Sequence, residues 1–210
     1  MHFYTNVQKY KDFILARGIK NGKRYLKRLK YEPTLYVPTN KHTAFKSVKG
    51  EFLQAKKFGS INHARNWGKQ YKGSNIDIHG LDSWEYTYIN EVFPSDIKFD
   101  IKQLNILNID IECECENGFP EPTEAIEKVN AITMKLFGHD TVHVIGTDNF
   151  EFKTDNPNIK YHKCQHEKHL LKTFMEVWSE LEPDIITGWN VETFDIAYLI
   201  NRISNLFNWE

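Results

Sequence analysis

Residues 104–122 read LNILNIDIECECENGFPEP, and the reading of the fold turns on them. Apolar side chains recur at Leu104, Ile106, Leu107, Ile109 and Ile111, and the run stops at Asn117-Gly118, a dipeptide suited to a tight turn. That pattern predicts a β-strand. The apolar density around Ile109-Asp110-Ile111 predicts burial on both of its faces. Side chains alternate along a strand, so Asp110 and Glu112 share one face and Ile109 and Ile111 the other. Two carboxylates on one side of a buried strand are costly unless a positive charge sits between them. A divalent cation meets that need, since Mg²⁺ takes hard oxygen ligands through one or two carboxylates. The same letters also fit a solvated edge strand, and Glu114 and Glu116, beyond the apolar run, belong to it.

Downstream, residues 131–137 and 142–147 read as strands joined at Gly138-His139-Asp140, which makes a meander with the first. A strand near 159–163 leads into a helix. There Leu170, Leu171, Phe174, Val177, Trp178 and Leu181 recur at helical period, and Pro183 ends the run. Residues 185–187 read as a short buried strand, and Gly188-Trp189-Asn190 turns it towards a last helix over 194–207. Ile196, Ala197, Ile200, Ile203 and Leu206 are its expected buried residues. Thr193 is a candidate N-cap, and Asp195 is an acid in the first turn, where the helix dipole favours it. Antiparallel strands followed by strands alternating with helices predict an α/β sheet with helices packed on it. His162, Cys164, His166 and His169 look like zinc ligands but match no familiar zinc spacing; they read better as surface and helix-start residues.

The net charge of −1 hides a division. Residues 1–100 hold 18 Lys and Arg against 9 Asp and Glu; residues 101–210 hold 9 against 19. Two modules are therefore expected, 1–100 and 101–210. The basic excess concentrates in Lys20, Lys23, Arg24, Lys27, Arg28 and Lys30, which fits either contact with a phosphate backbone or a solvated hairpin face. The hairpin turns at Asn21-Gly22, between strands that start at Phe13 and end at Tyr31. A strand over 31–38, a helix from Ile61 capped by Ser60, and a strand over 84–92 complete a mainly β module with one short helix. Its aromatics Trp67, Trp84, Tyr86 and Tyr88 read as core before base-stacking groups. No run is apolar enough to span a membrane, and the N-terminus is too polar for a secretory signal. The odd set of Cys113, Cys115 and Cys164 points to a reducing, cytoplasmic setting.

Asp-x-Glu on a first strand, followed about 80 residues later by Asn-x-x-x-Phe-Asp at a strand-to-helix turn, is more specific than either part. The pair resembles the first two exonuclease motifs of the DEDD proofreading nucleases attached to family B DNA polymerases. NIDIE, NGFPEP and DIITGWNVETFDIAYLINRI are similar to the matching stretches in replicative polymerases of T-even-like bacteriophages, and YEPTLYVP is similar to their N-terminal domain. The resemblance covers essentially the whole chain. It implies a ribonuclease H-like mixed sheet with flanking helices, preceded by that N-terminal domain. It also implies 3′-5′ hydrolysis of the terminal phosphodiester of DNA with two Mg²⁺ or Mn²⁺ ions. Asp110 is then expected to bridge both ions, Glu112 to bind the one carrying the attacking water, and Asp195 to serve the second, partly through water. Phe119 is expected to pack against the frayed 3′ primer end, with Asn190 and Phe194 lining the same cleft. A single-stranded primer end, a sliding clamp, a single-strand-binding protein and the host cytoplasm follow from the same resemblance.

The family's third motif, Tyr-x-x-x-Asp, is not found before the chain stops at Asn208-Trp209-Glu210. The expectation is a split or truncated polymerase that needs a second polypeptide to supply the fourth carboxylate. Two alternatives stand beside it: a stand-alone nuclease with a rearranged fourth ligand, or a non-catalytic module that binds single-stranded nucleic acid.

Overall fold

The structure is a computed structural model that describes residues 1–80, 83–116, 118–147 and 152–208. Asn117 of the expected Asn117-Gly118 turn lies outside the described residues, as do Trp209 and Glu210. The chain divides into two compact units, Met1–Asp100 and Ile101–Glu210. No helix among the described residues is long and apolar enough to cross a membrane.

In the first unit β1 (His2–Tyr10), β2 (Phe13–Lys20) and β3 (Lys23–Lys30) form an antiparallel sheet in that order. The β2–β3 turn places Asn21 at φ 53° and Gly22 at φ 75°, the left-handed pair that an Asn-Gly hairpin turn requires. A second sheet orders β4 (Thr34–Pro38), β6 (Phe52–Lys57) and β5 (Phe45–Lys46). Helix α1 (Ile61–Lys69) begins where Ser60 Oγ accepts the N–H of His63 at 3.1 Å, the predicted cap. The expected strand over 84–92 is instead a second helix, α2 (Trp84–Val92). Its aromatic and β-branched letters favour a strand, but packing overrides propensity. Trp84 is buried in the core, and Tyr88, one turn on, lies edge-to-face on Tyr31. Around them the core gathers Ile14, Ala16, Leu35, Phe58, Ile61 and Ala64.

The second unit is one mixed sheet with helices on it. Its strands are β7 (Ile106–Cys113), β8 (Val129–Leu136), β9 (Val142–Thr147), β10 (Ile159–Cys164) and β11 (Ile185–Thr187), in the order β10-β9-β8-β7-β11. β7, β8 and β9 form the expected antiparallel meander, while β10 joins β9 and β11 joins β7 in parallel. Helix α3 (Glu167–Leu181) buries Leu170, Leu171, Phe174 and Val177 of its predicted stripe. Two expectations about burial need correction. β7 is buried on one face only: Leu107, Ile109 and Ile111 face the core, while Asn108, Asp110 and Glu112 are exposed. The polar letters at alternate positions decide this, as in any half-buried strand. β11 is exposed throughout, because it is the edge of the sheet.

Helix α4 (Asp195–Phe207) keeps part of the expected face, with Ile196, Ile203 and Leu206 half-buried against the core, and departs from it elsewhere. Its buried residues are Asp195, Tyr198, Leu199 and Arg202, at helical spacing, and Ile200 is exposed. Polar side chains sit on the inner face because they have partners there. The Tyr198 hydroxyl donates to the carbonyl of Glu127 at 2.7 Å, and Arg202 Nη1 donates to that of Ala125 at 3.0 Å. Asn201 and Asn205 donate to the carbonyls of Pro122 and Glu124 at 2.8 and 2.9 Å. Arg202 further grips Glu167 through Nε and Nη2, both at 2.7 Å, and Glu167 accepts the N–H of Val129 at 2.9 Å. One helix therefore holds the loop between β7 and β8 by its backbone carbonyls.

Arg202→Met should strip Glu167 of its buried partner and destabilise the chain by about 3–5 kcal/mol, read from urea unfolding. Adding Glu167→Gln should recover part of that loss, because the uncompensated carboxylate is then gone.

Candidate active site

β11 pairs with β7 only through Ile185 with Ile106, Ile186 with Leu107, and Thr187 with Asn108. Beyond Asn108 this edge of β7 has lost its strand, and buried backbone groups need other partners. Gly188 comes next, so close to β7 that a Cβ on it would lie 2.5 Å from the Ile109 carbonyl oxygen. Only glycine fits there. Asn190 then turns the chain at φ 56°, its carbonyl accepting the N–H groups of Thr193 and Phe194 at 3.1 and 2.9 Å. The turn delivers Asp195 to the first position of α4, where Oδ1 accepts the Ile111 N–H at 3.1 Å. A carboxylate stands in for the missing strand.

Asp195 is 2% exposed. Burial pushes its carboxyl above the usual range; its own N–H and that of Ile111 pull it back, and the charges of Asp110 and Glu112 raise it again. The acids of the two motifs therefore act on one another across β7. They do not form a closed cage: among the described residues no three His, Cys, Asp or Glu side chains come together to hold a metal ion. The donor chemistry still fits a hard divalent cation. Asp110 and Glu112 present two carboxylates to solvent from one face of one strand, while Asp195 is tied to backbone N–H groups and suits contact through water.

The aromatic residues gather beside these acids. Phe119 is 82% exposed, and its ring centroid lies 5.3 Å from that of Phe194, which lies 5.6 Å from that of Tyr198. Asn190 is exposed, but its Oδ1 accepts the Thr193 hydroxyl, so its observed work is within the turn. Thr193 is accordingly not the helix cap: Phe194 occupies that position, with no side-chain cap bond. Sequence reasoning passed over Trp189, whose indole is 91% exposed between Gly188 and Asn190. Its signal was a large aromatic inside a turn. Tyr198 and Arg202 carry no such signal, because a polar residue on the inner face of a helix falls outside the apolar stripe that its sequence displays.

The histidine cluster is divided among other tasks. His143 Nδ1 and His162 Nε2 share a hydrogen bond of 3.1 Å, and His166 Nδ1 caps α3 by accepting the N–H of His169 at 3.2 Å. Cys164 is buried. A cleft of about 520 Å³ near His166 is lined by Glu114, Lys128, Thr147 and Glu167 among others, and by none of the six predicted site residues.

A family model described as the exonuclease domain of DNA polymerase family B matches residues 57–210. The chain is similar to the DNA-directed DNA polymerase of Escherichia phage RB69, 29% identical over 98% of this chain and 26% of that protein. It is 25% identical to the DNA-directed DNA polymerase of Enterobacteria phage T4, over 96% of this chain and 25% of that one. The DNA polymerase delta catalytic subunit of Glycine max matches at 33% over 48% of the chain. The chain thus spans about a quarter of the length of its phage relatives.

Gly188→Ala should cost about 1–3 kcal/mol by forcing β7 and the turn apart. Gly59→Ala, where a Cβ meets nothing within 4 Å, should change the urea midpoint little. The raised Asp195 carboxyl sets a sign for pH dependence. Its contribution favours the fold while it is protonated and is lost as pH rises through its folded value. In metal-free buffer, Asp195→Asn should therefore gain stability relative to the parent as pH rises from about 4 through the raised folded value, and hold that gain above it. Melts across that range check it, and a parallel pair of curves would contradict it.

Proposed function

Because the chain belongs to the family B DNA polymerase exonuclease domain family, we propose that residues 101–210 carry out 3′-5′ proofreading hydrolysis of single-stranded DNA ends. The observation that carries this is the 3.1 Å bond between Asp195 and Ile111, which brings the acid of the second motif against the strand of the first. The ribonuclease H-like arrangement belongs to the same reading. A three-stranded meander whose first strand has a parallel neighbour on its other side, with helices packed on the sheet, supports it.

In this reading Asp110 and Glu112 hold the metal ions from the exposed face of β7. Mg²⁺ or Mn²⁺ held there would make water a better nucleophile at neutral pH and offset the charge that develops on the leaving 3′ oxygen. Asp195 fixes the height of β7 through Ile111 and adds negative charge behind the site, which favours cations over water there. Phe119, backed by Phe194, offers an exposed ring on which a terminal base can stack. α4 holds the β7–β8 loop through Tyr198, Asn201, Arg202 and Asn205, which ties the loop bearing Phe119 to the helix bearing Asp195. Polymerisation, and contacts with a sliding clamp, a single-strand-binding protein or a second polypeptide, are proposed at the level of the whole polymerase.

Mn²⁺ titration followed by electron paramagnetic resonance tests the reading, together with decay of a 5′-labelled single-stranded oligonucleotide. Asp110→Ala should weaken Mn²⁺ binding at least tenfold and remove any metal-dependent cleavage. Glu112→Ala should do nearly the same, and Glu116→Ala little. Equal behaviour of Asp110→Ala and Glu116→Ala would reduce the strand to a solvated acidic edge.

A further inference from the structure

The cleft near His166 lies where three strand ends meet a helix start. The parallel strands β9 and β10 finish there together, at the paired residues Thr147 and Cys164. β8 runs the other way and begins there, with Val129 and Asn130 in the wall. α3 starts three residues after Cys164, so its first turn, with Gln165 and His166 before it, closes the cleft. Crevices at the carboxyl ends of parallel strands are where open α/β sheets take ligands. Thr147 shares its face of β9 with Ile145, which packs in the core with Leu170 and Leu171 of α3. Asp110 lies in register with Thr133 and Val144, on the other face of the sheet, so the cleft is distinct from the carboxylate site.

One atom in the wall calls for a ligand. Thr147 is 8% exposed, and its buried Oγ1 has no hydrogen-bond partner among the described residues. A hydroxyl in that state carries a desolvation cost that a bound acceptor removes. Most of the groups around it are donors. His166 Nδ1 accepts the N–H of His169, which leaves Nε2 to carry the ring proton and donate. The N–H groups of Glu167 and Lys168 open α3, where no intrahelical acceptor exists and the helix dipole favours an anion. Lys168 is exposed, and its ammonium lies 5.9 Å from the centre of the Phe207 ring, a contact that uses none of its hydrogen-bond donors. Two carboxylates also line the cleft, and each is already answered: Glu114 by Lys128 at 3.6 Å, and Glu167 by Arg202 at 2.7 Å. Lys168 is the charge left over. A phosphate group suits this set, because its oxygens accept from several directions at once. At about 520 Å³ the cleft has the size of a small-molecule site, and the Asn130 and Gln165 amides can donate to or accept from an attached organic part. We propose that the cleft between β8, β9 and the start of α3 binds a phosphomonoester. Thr147, His166, Lys168 and the first N–H groups of α3 hold the phosphate, and Asn130 and Gln165 face the organic part. This site goes beyond the exonuclease reading and does not depend on it.

Thermal melts and calorimetric titrations of the full chain test it, in EDTA so that no metal bridges phosphate to Asp110 and Glu112. Inorganic phosphate, dAMP and glucose 6-phosphate serve as probes, with sodium chloride at matched ionic strength as the control. The parent should melt higher in at least one phosphate probe than in chloride. Thr147→Val, close in shape, should bind that probe at least tenfold more weakly, on the order of the loss of a hydrogen bond to a charged group. Without the probe the same variant should melt no lower than the parent, because an unpartnered hydroxyl has been removed. Lys168→Ala, at an exposed position, should weaken binding at least threefold and flatten its dependence on salt. The ranking of the probes distinguishes free phosphate, a nucleotide and a sugar phosphate as the source. An equal rise in chloride, or none in any probe, would overturn the proposal. A Thr147→Val chain that melts lower without any probe would show that the hydroxyl already has a partner within the chain, and would overturn it too. Binding of dAMP that survives Thr147→Val but is abolished in Phe119→Ala would assign it to the exonuclease cleft, with the same consequence.

Discussion

The hydrogen bond from the Ile111 N–H to Asp195 Oδ1, 3.1 Å long, is the constraint on which the second unit depends. β7 and β11 run together for three residue pairs and then part, because the chain must leave the sheet to begin α4. Parting leaves the edge of a half-buried strand without a partner. Gly188 makes the divergence tight, since its lack of a side chain lets the turn ride against the Ile109 carbonyl. Asp195 then closes the edge with a carboxylate. A neutral acceptor would also satisfy the N–H, though with a weaker bond. The charged one is held at a cost in desolvation, and it lies where Asp110 and Glu112 already crowd negative charge. A cation held there, as proposed, would relieve that burden.

α4 connects this edge to the rest of the unit. Its first residue completes β7, and its next two turns donate hydrogen bonds to the β7–β8 loop. Glu167 at the start of α3 ties the helix to β8 as well, by accepting from Arg202 and from the Val129 N–H. Polar side chains on the inner face of a helix are costly unless satisfied, and here each of these has an identified partner. The loop that carries Phe119 is thus positioned by backbone carbonyls, which leaves the Phe119 ring itself exposed.

The two units handle charge in opposite ways. In the second, acids project from one face of β7 whose other face is core. In the first, arginines project from an outer sheet face whose inner face packs against Ile14, Ala16 and their neighbours. In both cases the two-residue period of the strand does the sorting.

Much of this was legible in the sequence by itself. Alternation placed Asp110 and Glu112 together, the Asn21-Gly22 pair set the hairpin, and the stripe from Leu170 to Val177 fixed α3, because each of these signals is local and periodic. The two acidic motifs pointed to the exonuclease family before any fold was seen. What tertiary structure decided was less local. Residues 84–92 became a helix because Trp84 and Tyr88 found places in a core that their letters do not describe. Asn108, Asp110 and Glu112 were left open on a face that hydrophobic density alone had closed. Tyr198 and Arg202 turned inwards because carbonyls and a carboxylate from distant segments awaited them. The work of Asp195 was likewise set by a strand edge 84 residues away in the chain. A sequence displays period and propensity. The partner that satisfies a buried polar group, or the neighbour that covers a face, exists only once distant segments meet.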